Sequence, residues 1–270
     1  MINKFNRKVN YEFDSFLESI LQRTYSGEVG LNNDSLRQEW LEREISNIKA
    51  GSVVLDAGAG ELNNKRYCKH LKYISQDFCE YDGQGDSVGL QTDIWDTSKI
   101  DIVCDIIDIP LDDDAIDAII CTEVLEHLPN PRAAIGELVR VLKPGGKLII
   151  TAPFCSMTHF SPYHYATGFS RYFYEDVFKE LKVELQKCKA SGNYFDYLAQ
   201  EVRRLDYMTS TYTNISFSGR LVSFFNAMIQ RLYLKKLCLL SNNDKGSSEL
   251  LCYGYHVIAV KPPALGTNPL

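Results

Sequence analysis

Ser52-Val53-Val54-Leu55-Asp56-Ala57-Gly58-Ala59-Gly60 is an apolar run that stops at an aspartate and two spaced glycines. A short apolar run bounded by a turn signal reads as a buried strand. Glycines directly after it let the backbone turn and approach a ligand without Cβ strain. The same texture recurs downstream: residues 73–77, 101–105, 116–122, 147–152 and 183–189 read as further strands, and 253–261 (YGYHVIAVK) as a last one. The helix before the fifth strand is well marked. Asn130 suits its cap, Pro131 its first turn, and Ile135, Leu138, Val139 and Leu142 line one face. Strands alternating with helices predict an α/β, Rossmann-like, mostly parallel seven-stranded sheet with helices on both faces.

Outside this frame the texture differs. Phe13, Phe16, Leu17, Ile20 and Leu21 repeat at helical spacing, as do Leu36, Trp40, Leu41, Ile45 and Ile48. Residues 1–50 are therefore read as an N-terminal helical cover, 51–190 with 250–263 as the core, and 191–249 as a helical insertion that covers the acceptor side. Residues 217–240 read as a long amphipathic helix with an apolar stripe of Phe217, Leu221, Phe224, Phe225, Met228, Ile229 and Leu232. Between Arg203 and Leu240 there are six Lys or Arg against one Asp. A cover helix is the first reading of that stretch, and weak contact of 217–240 with an anionic membrane surface is the second. The aromatic stretch at 192–197 is expected to line an acceptor pocket.

With 270 residues, 45% hydrophobic and 24% charged, the chain has the composition of a globular protein with a real core. A net charge of −6 argues against a nucleic-acid binder, which would carry a basic footprint. None of the eight cysteines forms a C-x-x-C pair, so zinc-ribbon and thioredoxin readings fail. MINKFNRKVN is polar and basic, with no apolar core behind it, and a cytoplasmic location is expected.

The candidate site residues cluster at strand ends. Asp77 ends the second strand, 21 residues after Asp56, where a carboxylate can accept from both hydroxyls of a ribose. Phe78 beside it can pack on an adenine face. Asp105 ends the third strand, where its carboxylate can accept from an amino group while the Ile106 N–H donates to a ring nitrogen. Glu123 ends the fourth. Carboxyl ends of strands are where open α/β sheets bind ligands. The third glycine of the dinucleotide fingerprint is missing, since Asn63 stands in its place, and this disfavours NAD and FAD. Singly, Asp56 could cap a helix and Asp77 sit in a turn; the ordered set outweighs that reading.

VLDAGAGE, YISQDF, CDIIDIPLDDDAIDAIICTEVLEHLPNP and RVLKPGGKLIITAPF together resemble the class I S-adenosylmethionine-dependent methyltransferases, especially the broad type-11 group. The resemblance covers about residues 51–155, with 253–261 matching the family's antiparallel last strand. It implies S-adenosylmethionine as cofactor. Asp56 with Gly58, Ala59 and Gly60 would hold the methionine end, Asp77 the ribose, and Asp105 and Ile106 the adenine, with Glu123 at the cofactor edge. Ala57, Ala59 and Glu61-Leu62 depart from the commoner residues and leave the loop's shape open.

Methyl transfer needs an aligned acceptor and, for a hydroxyl or amine, a base. His159 and His164 follow the fifth strand, on a loop that leaves the cofactor edge, and are the candidate catalytic residues. His70 and His256 are expected to be structural. Glu123, Glu126 and His127 have ligand-like spacing on a helical turn, with His159 or His164 as a fourth group. That spacing looks like the one in metal-dependent small-RNA 3′-end methyltransferases and ubiquinone-pathway O-methyltransferases. It also occurs in relatives without metal, so the expectation is no stoichiometric metal. The leading reading is a methyltransferase acting on a small molecule or glycan. Behind it stand a metal-assisted O-methyltransferase on a quinone, lipid or RNA end, and a non-catalytic binding protein on the same fold.

Overall fold

The computed structural model describes residues 27–92, 94–214 and 220–263. The periodic positions Phe13 to Leu21 and Phe217 lie outside them. The chain divides into two compact units, Ser35–Ser191 with Cys252–Leu270, and Gly192–Leu251 with the stretch up to Asp34.

The larger unit is built on one seven-stranded sheet. Its elements are α1 (Asn33–Ser46), β1 (Val53–Ala57), β2 (Lys72–Asp77), β3 (Ile102–Val103), β4 (Ile116–Thr122), α2 (Pro131–Val141), β5 (Leu142–Pro153), α3 (Arg171–Glu180), β6 (Glu184–Ser191) and β7 (Gly254–Val260). The strand order is β3-β2-β1-β4-β5-β7-β6. The pairs from β3 to β5 are parallel, and β7 runs antiparallel between β5 and β6. This is the predicted Rossmann-like α/β sheet with an antiparallel last strand. The chain winds to one side of β1 and then resumes at β4 on the other, which opens a crevice at their carboxyl ends.

Alternation along the central strands feeds two cores. Leu55, Ile119, Leu148 and Ile150 face α2 and α3, packing with Ile135, Leu138, Tyr174 and Phe178. Val54, Ala118, Ile120, Ile149 and Ile258 face the other way and pack with Trp40, Leu41, Ile45 and Ile48. The division therefore falls after Asp34 rather than at residue 50, because α1 supplies one wall of the sheet's core. Two strands differ in length from the sequence reading. β3 is two residues, since Val103 sits at the sheet edge, 63% exposed, with little to gain from further pairing. β5 begins five residues early: Leu142 pairs with Ile116, Lys147 with Ala118, and Lys143–Gly146 bulge between them.

The smaller unit packs α4 (Tyr194–Tyr212) against α5 (Arg220–Asn242) through Ala199, Leu234 and Leu237, with Val29. Asn193 caps α4: its side chain accepts from the N–H groups of Phe195 and Asp196, and Asp196 accepts from the Asn193 N–H in return. The 192–197 stretch, expected as pocket lining, is thus the start of a helix. Phe225, Ile229 and Leu232 of the predicted stripe are exposed. Among the described residues, no helix is long and apolar enough to cross a membrane.

Candidate cofactor and acceptor site

β1 delivers Asp56 to the head of the glycine loop, fully buried. Its carboxylate accepts from Tyr73 Oη at 2.7 Å and from Asn64 Nδ2 at 3.0 Å. Burial pushes its pKa up to about 6 despite those two bonds, with the charge of Asp77 adding to the rise. Asp56 thereby ties β1 to β2 and to the 3-10 turn Asn63–Tyr67. That turn is too short to present a long helix's N-terminus to a pyrophosphate, in keeping with the missing third glycine. Gly58 has φ +71°, and a Cβ there would lie 2.4 Å from Val124 Cγ2. Only glycine lets the loop approach the end of β4 this closely.

At the end of β2, Asp77 Oδ2 accepts from the Gly60 N–H at 2.9 Å and Oδ1 from the Cys79 N–H at 2.9 Å. At the end of β4, Glu123 adopts the left-handed region at φ 54°, unusual for a residue with a Cβ. Its N–H donates to Thr151 O at 2.8 Å, Oε1 accepts from Thr151 Oγ1 at 2.8 Å, and Oε2 pairs with Arg37 at 3.0 Å. Sequence reasoning missed Arg37, which reaches Glu123 from α1.

These strand ends enclose a cavity of about 430 Å³, within the range of small-molecule sites. Gly58, Asp77, Phe78, Asp105, Ile106 and Glu123 line it, six of the nine positions predicted for the cofactor. Asp56, Ala59 and Gly60 do not; they are buried and shape the loop from behind. The chemistry of the donor set fits S-adenosylmethionine: a carboxylate at the ribose position, an aromatic ring beside it, and a carboxylate with a following backbone N–H at the adenine position.

Much of the remaining lining is aromatic and was largely missed. Tyr81, Trp95, Phe160, Tyr163 and Tyr165 supply it. Phe160 stacks on Tyr81 at 4.8 Å and on His127 at 5.1 Å between centroids. The segment around residue 90 holds this loop in place: Phe160 N–H donates to Leu90 O, and Leu90 N–H to Thr158 O, both at 3.0 Å. The compositional signal was the Tyr- and Phe-rich sequence after β5, but the partners come from a loop some 70 residues earlier.

Among the described residues, His127 is the histidine that lines the cavity. His159 and His164, the predicted catalytic pair, gather against it instead, with ring centroids 4.6 Å (His127–His159) and 4.8 Å (His159–His164) apart. Burial holds His127 down at about 4, helped by His159, and also lowers His164. Glu126, wholly buried, is raised well above the usual carboxylate range by burial and by Glu123. Of the predicted metal trio, Glu126 and His127 adjoin this histidine cluster, while Glu123 is committed to Arg37 and Thr151. His256 stacks on Trp40 at 4.6 Å, a structural placement, and His70 Nε2 lies 3.2 Å from Ile48 O.

Residues 55–150 match the family model described as a methyltransferase domain. The chain carries a class I S-adenosylmethionine-dependent methyltransferase domain. It is 32% identical to a demethylmenaquinone methyltransferase of Clavibacter sepedonicus over 45% of this chain and 49% of that one. It is 34% identical to a tRNA (carboxymethyluridine(34)-5-O)-methyltransferase of Arabidopsis thaliana over 40% of this chain and 25% of that one. The match thus spans half or less of these relatives. Among solved structures, the [4+2]-cyclase SpnF superposes with a TM-score of 0.51 at 16% identity, covering 85% of this chain and 81% of the other. That likeness concerns the fold alone.

Proposed function

We propose that this chain transfers the methyl group of S-adenosylmethionine to a small-molecule or glycan acceptor. One observation carries the reading: six residues chosen for cofactor contact, from four separate strand ends, line one cavity at the crevice beside β1 and β4. The bound cofactor supplies an electrophilic methyl on a sulfonium. The chain's part is to bind, orient and exclude water. Asp77 accepts from the ribose hydroxyls with the lone pairs left over from Gly60 and Cys79. Phe78 covers the adenine face, and Asp105 with the Ile106 N–H reads the adenine edge. Glu123, braced by Arg37 and Thr151, stands at the methionine end. Alignment of acceptor and methyl in such an enclosed site is worth several kcal/mol.

The aromatic wall favours an acceptor with a flat or apolar body. The name of the menaquinone-pathway relative agrees with that class. Glu80, Asp105 and Glu123 on the lining, and the net charge of −6, weigh against a polyanionic RNA end. Calorimetry with S-adenosylhomocysteine, followed by methyl transfer from labelled donor to a panel of phenols, quinols and sugars, tests the reading. Micromolar binding and label on a small acceptor are expected. No binding would favour the non-catalytic reading, and label on RNA alone the other.

A further inference from the structure

One buried carboxylate and three half-buried imidazoles from two separate segments meet next to the cavity. Glu126 and His127 come from the 3-10 turn Leu125–His127 after β4; His159 and His164 come from the loop after β5. One nitrogen from each of the three histidines lies within 4.8 Å of the others. Glu126 Oε1 is 3.7 Å from His127 Nε2 and 3.9 Å from His159 Nε2.

The hydrogen bonding orients the rings. His127 Nδ1 is 2.6 Å from Tyr163 O, and His159 Nδ1 is 2.9 Å from Met157 O. A carbonyl can only accept, so each Nδ1 carries the proton and each Nε2 presents a lone pair. Anchoring one ring nitrogen on a carbonyl while the other faces a shared point is the support that metal-bound imidazoles use. The remaining atoms have no protein partner: both oxygens of Glu126, Nε2 of His127 and both nitrogens of His164 are buried without a hydrogen bond. Leaving that many polar atoms unpaired costs several kcal/mol. No hydrogen bond joins them in the structure: the Nδ1–H groups of His127 and His159 point at carbonyls, and their Nε2 atoms stand 3.7 and 3.9 Å from Glu126 Oε1. A cation at their common point would take the lone pairs of Glu126, of His127 Nε2 and of one His164 nitrogen together.

We propose that His127, His159 and His164, with the Glu126 carboxylate, form a site for one divalent transition-metal ion. Nitrogen and carboxylate donors select zinc or a neighbouring first-row ion over magnesium or calcium. Tetrahedral ligation at ~2.0–2.1 Å sets donor atoms roughly 3.4 Å apart, so the observed separations close with small side-chain rotations. This reverses the expectation of no metal and replaces the trio suggested by spacing, since Glu123 is engaged elsewhere and two loop histidines take its place. His127 belongs to both the cluster and the cavity lining, so the ion would stand at the cavity wall.

The test is a titration of chelator-treated full-length protein with zinc by calorimetry and with cobalt by visible absorption. One ion per chain and the d–d bands of a tetrahedral cobalt centre are expected. His159→Ala and His164→Asn should each weaken binding at least ~10–100-fold. Neither residue lines the cavity, so S-adenosylhomocysteine affinity in both variants reports that the domain is folded and keeps the metal question separate from the methyltransferase reading. A zinc-induced rise in Tm, present in the parent and lost in both variants, would agree. No stoichiometric ion in a parent protein that binds S-adenosylhomocysteine, or equal zinc affinity in parent and folded variants, would overturn the proposal.

Discussion

Asp77 accepts a hydrogen bond from the backbone N–H of Gly60 at 2.9 Å, so the carboxylate placed for the ribose also braces the glycine loop. Its other oxygen holds the Cys79 N–H. Asp77→Ala should therefore weaken S-adenosylhomocysteine binding by about 1.5–3 kcal/mol, a charge-assisted hydrogen bond's worth, and lower Tm as well. Calorimetry and a thermal melt read both. Unchanged affinity would remove Asp77 from the ribose site.

The approach of Gly58 to Val124 sets a second expectation. An alanine at 58 meets the left-handed backbone and a Val124 methyl at 2.4 Å. Together these should cost about 2–4 kcal/mol. Val124→Ala in the same chain should recover the steric part and leave the backbone part, so a double-mutant cycle in urea should show coupling. Strict additivity would mean that the loop yields without touching Val124.

His256 gives a pH signature. Burial, with Arg37, Lys189 and Arg43 nearby, holds its pKa at about 4 against an ordinary 6.5. The folded value lies below the unfolded one, so protons favour the unfolded chain. The stabilisation is complete above about pH 6.5 and is lost as pH falls toward 4, by on the order of 3 kcal/mol. His256→Phe keeps a ring against Trp40 and should flatten that stretch of the profile. Urea midpoints of parent and variant at pH 7.5 and pH 4.5 measure the difference. Parallel profiles would show that His256 is not responsible.

Asn193→Ala removes the cap of α4 and should cost about 1 kcal/mol while leaving S-adenosylhomocysteine affinity alone. A lost cap with unchanged stability would contradict the capping box; altered affinity would return the 192–197 stretch to the binding site.

How much of the site was legible depends on what fixes each residue. Asp56, Gly58, Asp105 and Glu123 were readable because each follows an apolar run that has little choice but to be a buried strand, and Asp77 because it closes the next, more polar strand at the expected distance. A strand's end is a local property, and a parallel sheet brings such ends to one edge. Tyr81, Trp95 and Phe160 were not readable as a wall. Their contacts join loops distant in sequence, and no periodicity marks them.

The sequence by itself determined the strands of a mostly parallel sheet, the helix before the fifth strand and the polar residues at the carboxyl edge, because hydrophobic patterning and turn chemistry act over a few residues. The core helix Arg171–Glu180 was not legible in the aromatic-rich stretch that holds it. Only the tertiary structure decided the division of labour among the polar residues. It turned Asp56 inward to Tyr73 and Asn64, paired Glu123 with Arg37, and drew His159 and His164 to His127 and Glu126 rather than to the cavity surface. Spacing within a segment says which side chains share a face. The point in space where two loops converge is set by the sheet that carries them and by the backbone hydrogen bonds that pin one loop to the other.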